Sequence, residues 1–178
     1  MRFSENRPLA LVVLALVVVA ALILGGGGKL MDRRTALENR FDAPSESIGA
    51  ELAEMHTNAA ALLGIVNRTE GAHAEFADAL SDAVNELDQA KTISERHAAS
   101  LKLSVAVENC YQNLTALPLS DMTAKDARYA YRNFTSAQLR ITHDDYNLQA
   151  EAFNRELNAF PASLLAALRG VKPLTLFR

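Results

Sequence analysis

Sixteen consecutive residues, Leu9 to Leu24 (LALVVLALVVVAALIL), carry no polar side chain, and Gly25 to Gly28 extend the stretch to twenty. Wound as a helix at about 1.5 Å per residue, such a stretch covers ~30 Å, the hydrocarbon thickness of a bilayer. A segment that is apolar on every face has no side to turn to water, so it fits poorly as a helix of a soluble domain. A cleaved signal peptide fits less well too: its apolar core is shorter, roughly 7–15 residues, and ends in an Ala-x-Ala-like site that four glycines do not reproduce. The expectation is an uncleaved single transmembrane anchor over residues 8–28, behind a short tail of residues 1–7, with the glycines as a hinge at the bilayer boundary. Arg2 and Arg7 before the span nearly balance Lys29, Arg33, Arg34 and Arg40 after it, so the positive charges do not orient the body.

From Lys29 onward the apolar residues recur with helical period. Leu30, Leu37 and Phe41 lie on one face of a helix that continues out of the membrane or restarts after the glycines. Pro44 and the serines at 45 and 47 open a second helix on Ile48, Leu52, Met55, Leu62 and Val66, closed by Arg68 to Gly71. Phe76, Leu80, Val84 and Leu87 mark a third, with Asp78, Asp82, Glu86 and Asp88 on its outer side. Leu101, Val105, Leu114 and Leu117 mark a fourth, stopped by Pro118, with Ser94 to His97 before it as exposed helix or a break. After an N-cap at Ser120 or Asp121, one long helix is expected to run to Ala159, its seam passing through Leu139, His143, Tyr146, Ala150, Phe153, Leu157 and Phe160. Pro161 ends it, a short amphipathic helix follows, Gly170 terminates that, and Gly170 to Phe177 read as extended chain with Phe177 free to tuck against the bundle. The fold class is therefore all-α: one transmembrane helix followed by an elongated antiparallel bundle of about four helices spanning residues 29–178.

The residues that carry chemistry are sparse. With 18 basic and 21 acidic side chains the net charge is −3, which leaves no basic surface for a phosphate backbone and disfavours nucleic acid as a partner. Cys110 is the only cysteine, which excludes an internal disulfide and cysteine-based metal centres; beside Val107 and Leu114 it reads as an inert small hydrophobe. Glu70 and His73 match the Glu-x-x-His spacing of carboxylate di-iron bundles, but the second copy such a site requires is missing and Gly71 marks a helix end. His143, Asp144 and Asp145 are consecutive and point around a helix, so they do not converge on one ion, and His56 and His97 have polar sequence neighbours that suggest solvent exposure. There is no Gly-x-Ser-x-Gly elbow, and the Gly25 to Gly28 run lacks the Gly-Lys-Ser/Thr ending of a phosphate loop. No catalytic, cofactor-binding or metal site is assigned, no cofactor is expected, and the chain does not read as an enzyme.

One long pattern stands out at the carboxyl end. Tyr146-Asn147, five residues, Phe153-Asn154, five residues, Phe160-Pro161, eight residues, Gly170-Val171-Lys172, four residues and Phe177 resembles the closing pattern of the LemA family, YN-x5-YN-x5-FP-x8-GFK-x4-F. Every gap matches, with Phe153 in place of the second tyrosine and Val171 in place of the aromatic of GFK. Tyr111-Gln-Asn-Leu114 is similar to the family's Tyr-Pro-x-Leu, so the resemblance covers residues 111–178. The chain departs from the family at His143 and Ser136, where an arginine and a glutamate are usual, and lacks the family's Asp-Leu-Ile-Pro-Asn-Leu stretch in its amino half. The resemblance implies a single amino-terminal membrane span followed by a long-helix bundle, in a protein of the bacterial envelope, and does not imply an enzyme.

In physical terms, Tyr146, Phe153 and Phe160 are seven apart and share a helix face, while Asn147 and Asn154 sit beside it where their amides can bond a neighbouring backbone. Core packing with two register-setting amides is the expected role. Two functional classes follow: an anchored interaction or structural module that meets other envelope proteins, or a membrane-tethered sensory or small-ligand-binding bundle. A sealed interior favours the first, and a pocket with converging polar groups favours the second.

Overall fold

The computed structural model describes residues 7–178, without the side chains of residues 7–9 and 22–24. Among the described residues the chain is all-α, with seven helices and no strand: α1 (Arg7–Phe41), α2 (Ile48–Val66), α3 (Ala74–Gln89), α4 (Ile93–Thr115), α5 (Asp121–His143), α6 (Tyr146–Asn158) and α7 (Ala162–Arg169). The expected fold class holds: a long apolar first helix, then a helical bundle. The chain forms two compact units, Met1–Asn39 with Leu148–Leu174 and Arg40–Asn147 with Thr175–Arg178.

In the first unit α1 contributes its long apolar segment. Its 35 residues make a rod of about 52 Å, longer than a bilayer core is thick. It is long and apolar enough to cross a membrane, and its described apolar side chains from Leu11 to Val19 are exposed. The glycines do not form a hinge: Gly25 to Gly28 keep helical geometry. A side chain at two of them would have little room, since a Cβ would lie 2.8 Å from Leu165 Cδ1 at Gly26 and 2.6 Å from Arg169 Cγ at Gly27. The missing side chains at these two positions let Leu165 and Arg169 of α7 lie close against α1. Further along, Leu30 and Leu37 are buried, Arg33 pairs with Glu156, and its guanidinium lies 6.0 Å from the centre of the Phe153 ring. α7 ends as expected: Gly170 takes the left-handed conformation (φ 67°), and the Val171 N–H donates to the Ala166 carbonyl at 3.0 Å.

The second unit is the α2–α5 bundle. Ser47 opens α2, its hydroxyl accepting the Ala50 N–H, and all five of the expected core residues of α2 are buried. The most extensive pairing is α2 with α5, whose inner stripe is Ala127, Ala130, Phe134 and Ala137. Alanines at three of four seam positions let the helix backbones approach closely. Arg140 of α5 reaches both Glu51 and Glu54 of α2; Glu51 Oε2 lies 2.6 Å from the guanidinium, so this buried oxygen is charge-paired although its alignment is not that of a hydrogen bond. α3 packs mainly on α4 and buries Leu80, Val84 and Leu87, with the acidic stripe outside as expected.

Two expectations are corrected here. On α4 the inner stripe is Leu103, Val107, Cys110 and Leu114, while Leu101 and Val105 are more than half exposed. The helix carries two aliphatic stripes, and sequence spacing alone does not say which one meets a neighbour. Ser94 to His97 form its first turn, with Thr92 and Glu95 in a reciprocal capping box whose backbone N–H groups, Thr92 first, hold the Glu95 carboxyl below the usual range. The second correction is the long final helix, which is broken between His143 and Tyr146. Asp144 closes α5 in extended conformation (ψ 136°) and turns its carboxylate onto the Tyr146 N–H at 2.6 Å, starting α6. His143 and Leu139 consequently lie outside any seam and are exposed, His143 donating through Nδ1 to the Leu139 carbonyl at 2.9 Å.

Candidate functional site

α6 is the element that carries the aromatic and amide pattern, and its polar side chains act on the chain's own last residues. Asn154 grips Leu174 through both backbone groups: its amide nitrogen donates to the Leu174 carbonyl at 2.9 Å, and its oxygen accepts the Leu174 N–H at 2.7 Å. Asn147 grips Phe177 in the same way, with both bonds at 2.8 Å. A primary amide presents one donor and one acceptor in a plane, the complement of one residue's N–H and C=O, so an asparagine substitutes for a neighbouring strand. Each clamp lies within one compact unit. Tyr146 adds a third bond, its hydroxyl donating to the Thr175 carbonyl at 2.8 Å.

The spacing has a metric reason. Seven residues of helix rise about 10.5 Å, and three residues of polyproline-like chain rise about 9.3 Å. Asparagines seven apart therefore match tail residues three apart. Burial in the tail follows the same period: Val171, Leu174 and Phe177 are buried and most residues between them are exposed. A period of three is that of an extended left-handed chain rather than a β-strand, whose period is two. In the first unit Arg34 Nε also donates to the Lys172 carbonyl at 3.0 Å.

The aromatic part of the pattern divides. Tyr146 and Phe153 are fully buried, and Tyr146 meets the Phe41 ring edge-on at 5.0 Å between centres. Phe41 also packs on Phe177 at 5.9 Å, and Arg96 stands over Phe41 at 5.8 Å. Phe160 does not join them. It lies beyond the end of α6 and is 83% exposed, which corrects its place in the expected seam. His97 is likewise not simply solvated: half-buried, its ring sits edge-on to Phe177 at 4.9 Å. Nothing in its sequence neighbours pointed to this contact, because the partner lies eighty residues away.

The other candidates stay apart. Glu70 falls in the turn after α2 and His73 at the N-cap of α3, so the Glu-x-x-His spacing does not lie on one helix. Among the described residues no group of three His, Cys, Asp or Glu side chains could hold a metal ion. Cys110 is completely buried, and desolvation pushes its thiol up to about 11, which suppresses the thiolate. Tyr111, from the Tyr-x-x-Leu resemblance, stacks on Tyr131 with centres 4.0 Å apart and planes at 4°. The Tyr131 hydroxyl donates to Glu108, which raises its pKa to about 12.

Comparison with protein-family models, curated proteins and solved structures gives no match. In the second unit a groove of 540 Å³ runs beside Asp42, His56, Leu87, Asp88 and Arg96. Its strongest charges, Asp42 and Arg96, are paired with each other. The clamp is turned inward: each asparagine commits its amide oxygen and one amide N–H to the backbone of the tail.

Proposed function

We propose that this chain is a membrane-anchored, non-enzymatic helical protein of LemA type in the bacterial envelope, acting as an interaction or structural module. The observation that supports this most is the internal use of its one distinctive polar constellation. Tyr146, Asn147 and Asn154, the residues best suited to recognise a ligand, bind the chain's own backbone instead. α1 supports the anchor, since exposed Leu and Val side chains on all sides of a helix are stable in lipid and costly in water. Helical surfaces such as the exposed Leu101 and Val105 stripe of α4 then remain for protein partners.

The test is photo-crosslinking of the full chain in native membranes after alkaline washing. Retention in the washed membranes with discrete heteromeric adducts is the expected result. A chain released by the wash, or a mature amino terminus near Lys29, overturns the anchor; an absence of adducts overturns the interaction role. The second reading, a ligand-binding bundle, is favoured by the groove beside His56 and Arg96. It predicts that a small molecule raises the melting temperature of the wild-type chain and not of Arg96→Ala.

A further inference from the structure

Phe160, Leu164 and Leu168 recur every fourth residue across the turn into α7 and along it, and they are 83%, 53% and 54% exposed. Their neighbours one position on, Leu165 and Arg169, turn the other way and touch α1, at Gly26 and Gly27 respectively. Among the described residues α7 thus has one face on α1 and one exposed apolar face. What covers that face follows from where α7 is fastened. Gly26 and Gly27 lie two and three residues past Leu24, the end of the apolar run, which is about 3–4.5 Å along the helix. Once α1 is inserted, α7 is held at the level where hydrocarbon gives way to headgroups.

We infer that α7 and the Phe160 turn form an interfacial foot that seats in the surface of the phospholipid bilayer crossed by α1. The inference rests on the reading of α1 as a membrane span. Interfacial helices bury their apolar face roughly 5–10 Å into the headgroup and acyl boundary, a depth within reach of aromatic and leucine side chains. Cations stand at the same level. Lys29 is exposed and makes no ion pair among the described residues, and it lines, with Gly26, Leu30, Arg33, Phe160 and Leu165, a cleft of 470 Å³. Glu156 of the same cleft is paired with Arg33, which leaves Lys29 as the cation for a lipid phosphate beside the apolar Leu30, Phe160 and Leu165. The foot gives the close packing at Gly26 and Gly27 a purpose: it fixes α7 to the anchor at one depth.

The chain has no tryptophan, so a single introduced one reports alone. Full-length Leu164→Trp and, separately, Val17→Trp are reconstituted in phosphatidylcholine–phosphatidylglycerol vesicles without bromine and with bromine on the upper acyl carbons, for Leu164→Trp, or the terminal acyl carbons, for Val17→Trp. The expected result is a blue-shifted Leu164→Trp emission that loses roughly half its intensity in brominated lipid, as an interfacial side chain should. Quenching of Val17→Trp with Leu164→Trp unquenched overturns the foot and leaves the span intact; a blue shift without quenching identifies a protein cover and overturns it equally. Absence of quenching at both positions shows that the span reading itself fails.

Discussion

If Asn154 is a two-ended clamp, its two ends can be removed separately. Asn154→Ala deletes both bonds, 2.9 and 2.7 Å, and leaves the Leu174 N–H and carbonyl without their partner. At about 0.5–1.5 kcal/mol net per bond the loss is about 1–3 kcal/mol, nearer the lower end because the site is half-buried and water can replace part of the amide. Asn154→Asp is more informative. An aspartate retains the acceptor for the Leu174 N–H but, when ionised, points its second oxygen at the Leu174 carbonyl, where two acceptors repel. At neutral pH Asp should therefore destabilise more than Ala, although it is closer in shape. On acidification the carboxylic acid gains an O–H donor and restores the pair, so the folded-state pKa of the introduced Asp lies above its unfolded value of about 3.9. Stability from the protonated clamp is then fully present below pH ~3.9 and is lost as pH rises through the raised folded pKa. Urea melts of the full chain in detergent, followed by circular dichroism at pH 7 and at pH 4, read this out. Equal midpoints for wild type and Asn154→Ala, or an Asp variant whose deficit relative to wild type does not shrink on acidification, would refute the clamp.

Other expectations are simpler. Phe153→Ala opens a fully buried site and should cost about 3–5 kcal/mol, while Phe160→Ala, at an 83% exposed position, should stay within about 0.5 kcal/mol, both read from melts of the full chain in micelles. The two variants compared in one assay test the division of the aromatic pattern; similar losses would contradict it. Tyr131 should remain protonated past the normal tyrosine range, titrating near 12 by ultraviolet absorbance, and Glu108→Gln should bring it down. Because the folded-state pKa is the raised one, its contribution to stability is present below pH ~10 and declines as pH rises through 12. Cys110 should resist thiol reagents in the folded chain and react fully in denaturant; rapid labelling of the native protein would show that its helix face opens.

Much of this protein is determined locally and is therefore legible in its sequence. The apolar run of residues 9–24 dictates a helix that avoids water whatever the rest does. Ser47 and Gly170 start and end helices through bonds and dihedral angles that involve only a few adjacent residues. The core stripes of α2 and α3 are single and strongly apolar, so periodicity locates them. The seven-residue spacing of Asn147 and Asn154 likewise announces amides beside a packed face, though not what they hold.

Tertiary structure decides wherever two local solutions are close in energy. α4 offers two aliphatic stripes, and α3 and α2 select Leu103 and Val107 over Leu101 and Val105. The stripe of α5 is mostly alanine, too weak in hydrophobic contrast to stand out, and becomes a seam because α2 needs a close neighbour there. At Asp144 the side chain competes with the helix for the Tyr146 N–H and wins, which a heptad pattern running through His143 conceals. The glycines at 26 and 27 look like a hinge until α7 is placed against them. The clamp itself joins α6 to residues twenty and thirty positions later in the chain. Periodicity reports which side of a helix is dry, but the identity of the group that dries it is a long-range property that only the folded chain contains.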